Sequence, residues 1–422
     1  MSASEKTLLT VDVAIIGGGM AGACLALLLA KHCPQLEVAL LEQRPLPQAD
    51  AALDLPSFDT RATAISAGSL KVFRDLGLWS MLKEYAAPIR QVHVSDRGHS
   101  LGAGLSAERE SEAAFEDMLG AVIENAALGP LLYRALATTD TCVLAPARVT
   151  GVKMHQGGAE LSWRGTEHDA GSTAEQTLNT RLLVVADGVN SPLCQQLGIA
   201  TDEEAYHQHA LVTTVELQRD HRGVAYERFT DNGPMALLPL PRRDGSHRAA
   251  LVWTCASDEA EAIAGLPEAA FIDRLQKVFG WRAGRILRSG SVQHYPLKLS
   301  LAREQVRRGL VLVGNCAHFL HPVAGQGFNL TLRDCETLAR TIARHGGSSA
   351  QTAPGELDLL QTYWRERQHD QQLTIGFSDR IPPLFAARNL FAAGLRQAGL
   401  LGLALAPPLR GAFARQAAGL AV

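Results

Sequence analysis

The N-terminal part of the chain contains the pattern that most constrains its fold. An apolar run at residues 11–16 is followed by a glycine-rich turn, an apolar helical pattern at residues 23–31 and a second apolar run at residues 38–42. The glycines of the turn have the spacing GxGxxG and are Gly17, Gly19 and Gly22. A strand, such a turn and a helix predict a βαβ unit whose helix N-terminus receives the pyrophosphate of a dinucleotide. The motif by itself does not distinguish FAD from NAD.

An acidic residue at the end of the second apolar run supports this interpretation. Glu42 follows the last glycine of the motif by 20 positions, where a carboxylate is suited to bind ribose hydroxyl groups. Residues beside the glycines and beside Glu42 complete this candidate set, which adds Met20, Ala21, Gln43 and Arg44.

A second glycine-rich loop lies much later in the chain. The apolar run at residues 310–313 stops at Gly314 and Asn315, and a helical pattern begins near Asn329. The loop between them contributes the candidates Pro322, Gly325, Gln326, Gly327 and Phe328. A strand, a loop of this kind and a helix N-terminus form an anion or cofactor cradle, because glycine permits close approach and the first helical N–H groups are free. An ordinary strand-to-helix connection is the alternative interpretation.

Two further polar positions are candidates for the same site. Residues 181–188 read as a buried strand ending in Asp187 and Gly188, which places a carboxylate at the carboxyl edge of a sheet, where ligands of α/β proteins lie. A simple turn is the alternative there. Arg61 stands at the start of a helical pattern in residues 57–78 and could reach a phosphate or a flavin edge. A surface or capping role is equally open for it.

His318 and His321 lie in the second glycine-rich loop. A direct acid–base role and a structural role are both open for each histidine, and we assign no catalytic residue from the sequence. The histidines and cysteines show no zinc-ligand spacing, and no G-x-S-x-G nucleophile motif is present. We therefore predict no metal site.

The periodicity changes in the second half of the chain. Alternating apolar and polar residues between 205 and 300 predict an antiparallel sheet, interrupted by an amphipathic helix at residues 267–279. Helical patterns also cover residues 118–137 and 355–376. We predict a mixed α/β (α+β) fold, with a Rossmann-like cofactor domain, an interleaved antiparallel-sheet substrate domain and a helical C-terminus. The predicted boundaries are 1–85, 115–200 and 300–350 for the cofactor domain, 86–114 and 201–299 for the substrate domain, and 351–422 for the C-terminal region.

Composition argues against several classes of function. The net charge is −3 and the pI is about 6.5, so the chain lacks the basic footprint of a nucleic-acid-binding protein. No uninterrupted apolar stretch reaches the ~20 residues that span a bilayer, and the N-terminus does not read as a signal peptide. The 7 cysteines form no CxxC pair, which favours reduced thiols in the cytoplasm.

The C-terminal segment, residues 381–422, contains no lysine and no acidic residue. Its arginines are Arg388, Arg396, Arg410 and Arg415. With leucine, alanine and phenylalanine between them, this pattern is typical of a basic amphipathic helix that binds a membrane surface. A C-terminal helix that caps the core is the alternative.

Three separated motifs occur in a fixed order: GGGMAG with Glu42, Asp187 with Gly188, and GNCAHFLHPVAGQGFNLTLRD. Over about residues 11–380 the chain resembles the group A flavoprotein aromatic hydroxylases, single-component FAD monooxygenases typified by p-hydroxybenzoate hydroxylase. Within that group it is most similar to the ubiquinone-biosynthesis hydroxylases, on the segments VHVSDRGH, ERFT, FGWR, HYPL and HPVAGQGFNL. Among these, hydroxylases of 2-polyprenyl-6-methoxyphenol look most alike.

The resemblance implies that the cofactor is FAD and gives roles to the candidates. The pyrophosphate would lie on the glycine motif, the adenosine ribose at Glu42, the phosphates along Arg61 and the adenine against the backbone of Val149. Asp187 would belong to a motif that serves both FAD and NAD(P)H.

For the flavin end, the resemblance implies that Gly314 and Asn315 meet the ribityl chain and pyrophosphate, and that residues 325–329 lie beside the isoalloxazine ring. The family usually has aspartate where this chain has Asn315. Asparagine keeps a hydrogen-bond acceptor and removes one negative charge near the phosphates.

The implied reaction is hydroxylation of an electron-rich phenol with NAD(P)H and O2, through a flavin C4a-hydroperoxide. The implied conversion is 2-polyprenyl-6-methoxyphenol to 2-polyprenyl-6-methoxy-1,4-benzoquinol. Other proteins of ubiquinone biosynthesis and the inner face of the cytoplasmic membrane are the implied partners. Hydroxylation at C5 or C6, FAD-dependent reduction of a prenyl chain, and a non-catalytic flavin-binding subunit remain alternatives.

Overall fold

The computed structural model describes residues 8–46, 61–96, 102–165, 175–322, 325–346, 353–386, 411, 414–415 and 418–419. Within these residues the first ten strands are β1 (Leu8–Ile16), β2 (Val38–Leu41), β3 (Ala62–Ser66), β4 (Ala86–Ile89), β5 (Gln91–Asp96), β6 (Gly102–Ser106), β7 (Gly120–Glu124), β8 (Cys142–Leu144), β9 (Arg148–His155) and β10 (Gly158–Arg164). The next ten are β11 (Gln176–Val185), β12 (Thr201–Leu217), β13 (Val224–Thr230), β14 (Gly233–Arg243), β15 (Ser246–Ala256), β16 (Ile286–Ser289), β17 (Gln293–Ala302), β18 (Val306–Arg307), β19 (Leu310–Leu312) and β20 (His318–Phe319). The α-helices are α1 (Met20–His32), α2 (Ala67–Asp75), α3 (Trp79–Leu82), α4 (Asn125–Leu136), α5 (Pro192–Gln196), α6 (Ser257–Ala264), α7 (Glu268–Phe279), α8 (Gln326–Gly346) and α9 (Leu357–Ala386).

A largely parallel sheet, called here the core sheet, has the strand order β18-β19-β11-β1-β2-β8. The strands from β19 to β8 run parallel to one another, and β9 and β10 join as an antiparallel extension through β11. β2 and β19 are buried along their whole length, as expected for strands covered on both faces. The helix α1 is apolar along most of its length and packs into the same core as α4 and α8.

A second, mostly antiparallel sheet has the order β20-β17-β12-β15-β14-β13-β5-β6. One of its faces packs on α6 and α7 through a cluster that contains Phe271, Leu275 and Phe279. A small third sheet has the order β3-β7-β4. It shares one apolar cluster with the antiparallel sheet and another with α1, α4 and α8. The predicted mixed α/β fold with an interleaved antiparallel sheet is confirmed, as is the amphipathic helix near 267–279.

Two predicted helical patterns are wrong in part. In the pattern over residues 57–78, the segment Ala62–Ser66 is the strand β3, so Arg61 precedes a strand and not a helix. In the pattern over residues 118–137, Gly120–Glu124 is the strand β7, and the helix begins at Asn125. β3 and β7 pair with each other, so a tertiary partner overrides the local helical periodicity in both segments.

The predicted helices at residues 355–376 and from near Asn329 are both present, with shifted bounds. α9 continues to Ala386, and α8 begins at Gln326, three residues before the predicted start. In the part of the chain that the structure describes, no helix combines the length and apolar character needed to cross a bilayer.

Candidate active site

Four strand ends of the core sheet form the floor of the candidate site. The register pairs Ile16 with both Val185 and Leu41, and it pairs Val185 with Leu312. The loops that follow these four strands therefore leave the sheet side by side. The three sequence motifs are thus brought to one carboxyl edge, where ligands bind in open α/β sheets.

A cavity of about 1710 Å³ opens above this edge, larger than the roughly 300–1,000 Å³ of common small-molecule pockets. Its other wall comes from β12, β17 and β20 of the antiparallel sheet. The predicted residues that line it are Gly17, Gly19, Met20, Ala21, Glu42, Gln43, Arg44, Arg61, Val149, Asp187, Gly188, Gly314, Asn315 and Phe328. The other predicted residues are not among those that line the described cavity; they are Gly22, Pro322, Gly325, Gln326, Gly327 and Asn329.

The glycine turn after β1 leaves no room for side chains. Gly17 has φ +105°, and a Cβ on it would lie 2.5 Å from Ala186 O. A Cβ on Gly22 would lie 1.9 Å from Gly17 O. Gly19 caps α1 without a side-chain hydrogen bond, and the first turn carries no acidic residue. The N-terminus of α1 thus faces the cavity uncapped, which fits the pyrophosphate of a dinucleotide such as FAD.

Glu42 is 8% exposed and secures the same turn through both carboxylate oxygens. Oε2 accepts the Gly18 N–H at 2.7 Å, and Oε1 accepts the Arg44 N–H at 2.9 Å. The Tyr133 hydroxyl donates to Gly18 O at 2.7 Å, and burial followed by the Glu42 charge raises the pKa of Tyr133, so it stays a donor. Glu42 therefore shapes the loop while it lines the cavity. No local pattern could have indicated the role of Tyr133, because this residue lies 115 positions from Gly18.

Asp187 presents a carboxylate oxygen without a partner to the site. Oδ2 accepts the Ser191 hydroxyl at 2.8 Å, whereas Oδ1 is buried and makes no hydrogen bond. Burial raises the pKa of Asp187 to about 6, against the effect of the Ser191 hydrogen bond. An unsatisfied buried acceptor at a cavity wall is suited to a ligand hydroxyl group.

Gly314 brings the second glycine-rich loop against the start of α1. Its φ is +78°, and a Cβ on it would lie 3.0 Å from the Ala21 Cβ. The turn Gly314–Cys316 is a short 3₁₀ helix, and the exposed Asn315 lines the cavity beside it. The asparagine is thus placed to meet a ligand even though the family usually has aspartate.

The start of α8 is held by its own side chains. Asn329 is 1% exposed, and its amide donates to Ala64 O at 2.9 Å and to Gly325 O at 2.8 Å, while its Oδ1 accepts the Ser66 N–H at 2.9 Å. Its side chain is therefore used within the protein, and any ligand contact falls to its backbone. Phe328 lines the cavity and stacks on Phe73, with ring centroids 6.5 Å apart.

His318 and His321 are both buried, and neither lines the cavity. His318 Nε2 lies 2.7 Å from Asp334 Oδ2, inside a buried ion-pair cluster. His321 packs edge-to-face on Tyr206 with centroids 5.3 Å apart, and burial lowers the pKa of His321 to about 4, only partly opposed by Asp379. His321 is therefore neutral near pH 7. These contacts favour the structural interpretation of both histidines.

The antiparallel sheet adds lining residues that the sequence did not single out. Tyr295 and Lys298 of β17 and Phe319 of β20 face the cavity. The Arg61 guanidinium lies 5.1 Å from the centre of the Tyr295 ring, which joins the two walls. Tyr295 belongs to the segment HYPL, so the family resemblance was the signal that could have marked it.

The described end of the C-terminal segment packs on the protein. Ala414 and Ala418 are buried in the core cluster of α1 and α8, and Gly68 N–H donates to Ala418 O at 2.9 Å. Arg415 lies 3.5 Å from Glu112. These contacts are those of a segment that caps the core. Arg388, Arg396 and Arg410 lie outside the described residues.

Comparison with known proteins agrees with this geometry. The family model described as "FAD binding domain" matches residues 10–378. The chain is 33% identical to ubiquinone hydroxylase UbiL of Rhodospirillum rubrum, covering 97% of this chain and 89% of the relative. It is 30% identical to 3-demethoxyubiquinol 3-hydroxylase of Escherichia coli, covering 92% and 96%.

The fold is also that of a solved monooxygenase. The structure of p-nitrophenol 4-monooxygenase PnpA from Pseudomonas putida superposes with a TM-score of 0.71 at 15% identity, covering 98% of this chain and 100% of that one. The glycine turn, the uncapped α1 and the unpaired Asp187 oxygen meet the needs of the cofactor that the family binds. The chain therefore belongs to the FAD binding domain family and is an FAD-dependent monooxygenase related to the ubiquinone-biosynthesis hydroxylases.

Proposed function

We propose that this protein hydroxylates the ring of a polyprenylated phenol in ubiquinone biosynthesis, converting 2-polyprenyl-6-methoxyphenol into 2-polyprenyl-6-methoxy-1,4-benzoquinol with NAD(P)H and O2. The observation that carries the proposal is the large cavity that the cofactor edge shares with the antiparallel sheet. Its size leaves space for an aromatic substrate beside a dinucleotide. The two walls also support the predicted division into a discontinuous FAD-binding domain and a substrate domain.

The residues at the core sheet would position FAD. The N-terminus of α1 would bind the pyrophosphate, Glu42 the adenosine ribose and the backbone of Val149 the adenine. Arg61, held over the Tyr295 ring, would neutralise phosphate charge. Asn315 and the unpaired oxygen of Asp187 would accept hydrogen bonds from ribityl hydroxyl groups or from a bound nicotinamide nucleotide.

When bound, FAD would accept electrons from NAD(P)H and activate O2 for transfer of one oxygen atom to the ring. The protein's own part is to hold the ring beside the cofactor and to exclude water. Tyr295, Leu297 and Phe319 give the second wall an apolar surface for this purpose. No side chain that lines the described cavity is a histidine or cysteine, so a base for the reaction would be a carboxylate or a tyrosine of this lining or a residue just beyond it.

Hydroxylation at another ring position is the second candidate. The observation that favours it is the similarity to 3-demethoxyubiquinol 3-hydroxylase over 92% of the chain. Both candidates use the same cofactor arrangement and differ only in how the substrate ring is turned within the cavity. A prenyl reductase or a non-catalytic subunit receives no comparable support, since the named relatives are hydroxylases.

The deciding experiment combines a deletion with a purified assay. Cells that lack this protein and grow aerobically should accumulate 2-polyprenyl-6-methoxyphenol, identified by mass spectrometry. The purified FAD-loaded protein should oxidise NAD(P)H faster when this phenol is added and should give the 1,4-benzoquinol. Accumulation of a ring with a different substitution would support the second candidate. Normal quinone without any accumulated phenol would contradict both.

We also propose that the protein acts in the cytoplasm at the inner membrane face, because a polyprenyl tail keeps its substrate in the bilayer. Arg388, Arg396 and Arg410 are the candidate contacts with anionic lipid. Removing residues 381–422 would also remove the buried Ala414 and Ala418, so replacing these arginines with glutamine is the cleaner test. Weaker cosedimentation with vesicles containing phosphatidylglycerol is expected. Unchanged cosedimentation of the triple variant would contradict membrane docking by this segment.

A further inference from the structure

Glu227 lies in the middle of β13, where strand alternation decides which face its side chain occupies. Its two neighbours turn toward α7. The Tyr226 ring packs edge-to-face on Phe279 with centroids 6.0 Å apart, and Arg228 Nε donates to Val278 O at 3.2 Å. Because successive side chains of a strand point to opposite faces, Glu227 lies on the other face of the antiparallel sheet.

This other face is turned toward the loop predicted to hold the flavin. Ala225, two residues before Glu227 on the same face, belongs to an apolar cluster against which Ala64 of β3 packs. Ala64 O accepts the Asn329 amide at 2.9 Å, and a Cβ on Gly325 would lie 3.0 Å from the Ala64 Cβ. Glu227 is not among the residues that line the described cavity, but it lies on the face of the sheet that is turned toward this loop.

The strand neighbours of Glu227 are apolar. The register places Val94 of β5 on one side of it and Ala236 of β14 on the other. Within the described residues, no hydrogen bond or ion pair is found for Glu227, although the residue keeps some accessible surface. Burial alone raises the pKa of Glu227 to about 7. A carboxylate without a partner in apolar surroundings costs stability, and such groups concentrate at functional sites.

The charged groups on the elements around this face do not account for the raised pKa of Glu227. Asp96 of β5 lies two residues beyond Val94 on the same face, and α9, which packs against β13, carries Asp379 bound to the Tyr206 hydroxyl. Arg248 is paired with Glu124 at 2.7 Å. None of these charges contributes to the raised pKa of Glu227.

We propose that the Glu227 carboxylate is the general base that takes the proton of the substrate's phenol hydroxyl group. The phenol O–H bond breaks, its electron pair remains on the ring oxygen, and the proton forms the O–H bond of a neutral carboxylic acid on Glu227. The resulting phenolate ring is more electron-rich and accepts an oxygen atom more readily. The inference rests on the proposed phenol substrate and adds the residue that would activate it.

The test uses the full-length, FAD-loaded protein with NAD(P)H, O2 and a short-tailed 2-prenyl-6-methoxyphenol. Glu227→Gln keeps the shape of the side chain and removes the base, so hydroxylated product should form about 100-fold more slowly or worse. Glu227→Asp should lose less. The wild-type rate should rise with pH through about 7, as the carboxyl group ionises, and this rise should be absent in Glu227→Gln. A ring-fluorinated phenol, which ionises without help, should recover much of the lost rate.

Glu261→Gln, at an exposed position of α6, is the matched control and should keep the wild-type rate and pH profile. FAD content and melting temperature identify any variant that fails to fold. For a variant that folds, a rate recovered with the fluorinated phenol shows that the substitution removed the base and did not disturb the rest of the site. If the wild type hydroxylates the phenol and Glu227→Gln matches it in rate and pH profile, the inference is wrong and the proposed function stands. If the wild type makes no product and shows no phenol-stimulated NAD(P)H oxidation, the proposed function falls and the inference falls with it.

Discussion

At the core sheet, glycine turns bring the backbone up to the cavity wall, whereas the wall at the antiparallel sheet presents larger side chains. At the core sheet, Gly17 and the uncapped start of α1 face the cavity, and even the Glu42 carboxylate is bonded to backbone N–H groups. At the antiparallel sheet, the surface comes from Tyr295, Lys298 and residues beside them. A wall of backbone tolerates little change, while a wall of side chains can be altered for a different substrate without altering the fold.

Residues 314–322 contribute to both walls through Asn315 and Phe319, and His318 among them contacts a buried ion-pair cluster of α8 and α9. Asp334 accepts hydrogen bonds from Arg367 Nε at 2.6 Å and from Gln371 Nε2 at 3.0 Å, besides its contact with His318. Burial opposes ionisation, but the His318 hydrogen bond and the Arg367 charge hold the pKa of Asp334 below its ordinary value. The first test of the comparison between the walls therefore targets this ion-pair cluster, which supports residues of both walls.

Asp334→Asn should have the largest effect on stability. It gives His318 and the Arg367 Nε a neutral partner, while Arg367 keeps its contact with Asp370, so the loss should be about 1.5–3 kcal/mol of unfolding free energy. Denaturant unfolding measures the loss. Because the pKa of Asp334 is lowered in the folded state, its contribution is present above the ordinary aspartate pKa and is lost as the pH falls below it. Asp358→Asn, at an exposed position of α9, should change stability by less than about 1 kcal/mol. Equal losses in the two variants would contradict a supporting role for the cluster.

Gly22→Ala should be the most damaging change in the backbone wall. The added Cβ would lie 1.9 Å from Gly17 O, so the turn must move away from the pyrophosphate position. FAD affinity should fall about 100-fold or more, equivalent to about 2.7 kcal/mol, as measured by flavin titration. Gly376→Ala in α9, where nothing lies within 4 Å of the new Cβ, should bind FAD normally. Retained flavin in Gly22→Ala would mean that the turn is not the pyrophosphate site.

Tyr295→Leu tests whether the two walls are coupled through Arg61. Loss of the ring 5.1 Å from the guanidinium removes a cation–π contact worth about 0.5–2 kcal/mol. We expect FAD binding about 2- to 30-fold weaker, although the substitution lies in the antiparallel sheet. Tyr295→Phe keeps the ring and should bind FAD like the wild type. If Leu and Phe behave alike, the walls act independently at this point.

The pH dependence of FAD binding should be the smallest of these effects. The pKa of Asp187 is about 6, so below that pH its carboxyl group becomes neutral and the oxygen without a partner becomes a weaker acceptor. Binding should therefore weaken about 5-fold between pH 7.5 and pH 5, since hydrogen bonds to an ionised group are about twice as strong as neutral ones. Asp187→Asn should remove this dependence. A pH dependence that survives in the variant would assign it to another group.

The sequence was sufficient for those features that depend on local spacing. The GxGxxG turn, Glu42 and the loop after residue 313 each lie within one strand-loop-helix unit, where periodicity and glycine spacing have direct geometric meaning. The same reasoning failed at residues 57–78 and 118–137, because β3 and β7 are strands only by virtue of pairing with each other. The family resemblance supplied FAD and a substrate class that spacing alone left open.

Only the tertiary structure decided how these units meet. The parallel register of β2, β1, β11 and β19 brings Glu42, Gly17, Asp187 and Gly314 to one edge. The tertiary structure also decided the Tyr133 bond to Gly18, the Asn329 bonds to β3 and the position of Tyr295 in the cavity wall opposite the cofactor edge. Strand register and side-chain packing join residues that are far apart in sequence, and no local pattern encodes those distances. The local motifs thus determined that a dinucleotide is bound, whereas the packing of the two sheets decided which side chains line the cavity.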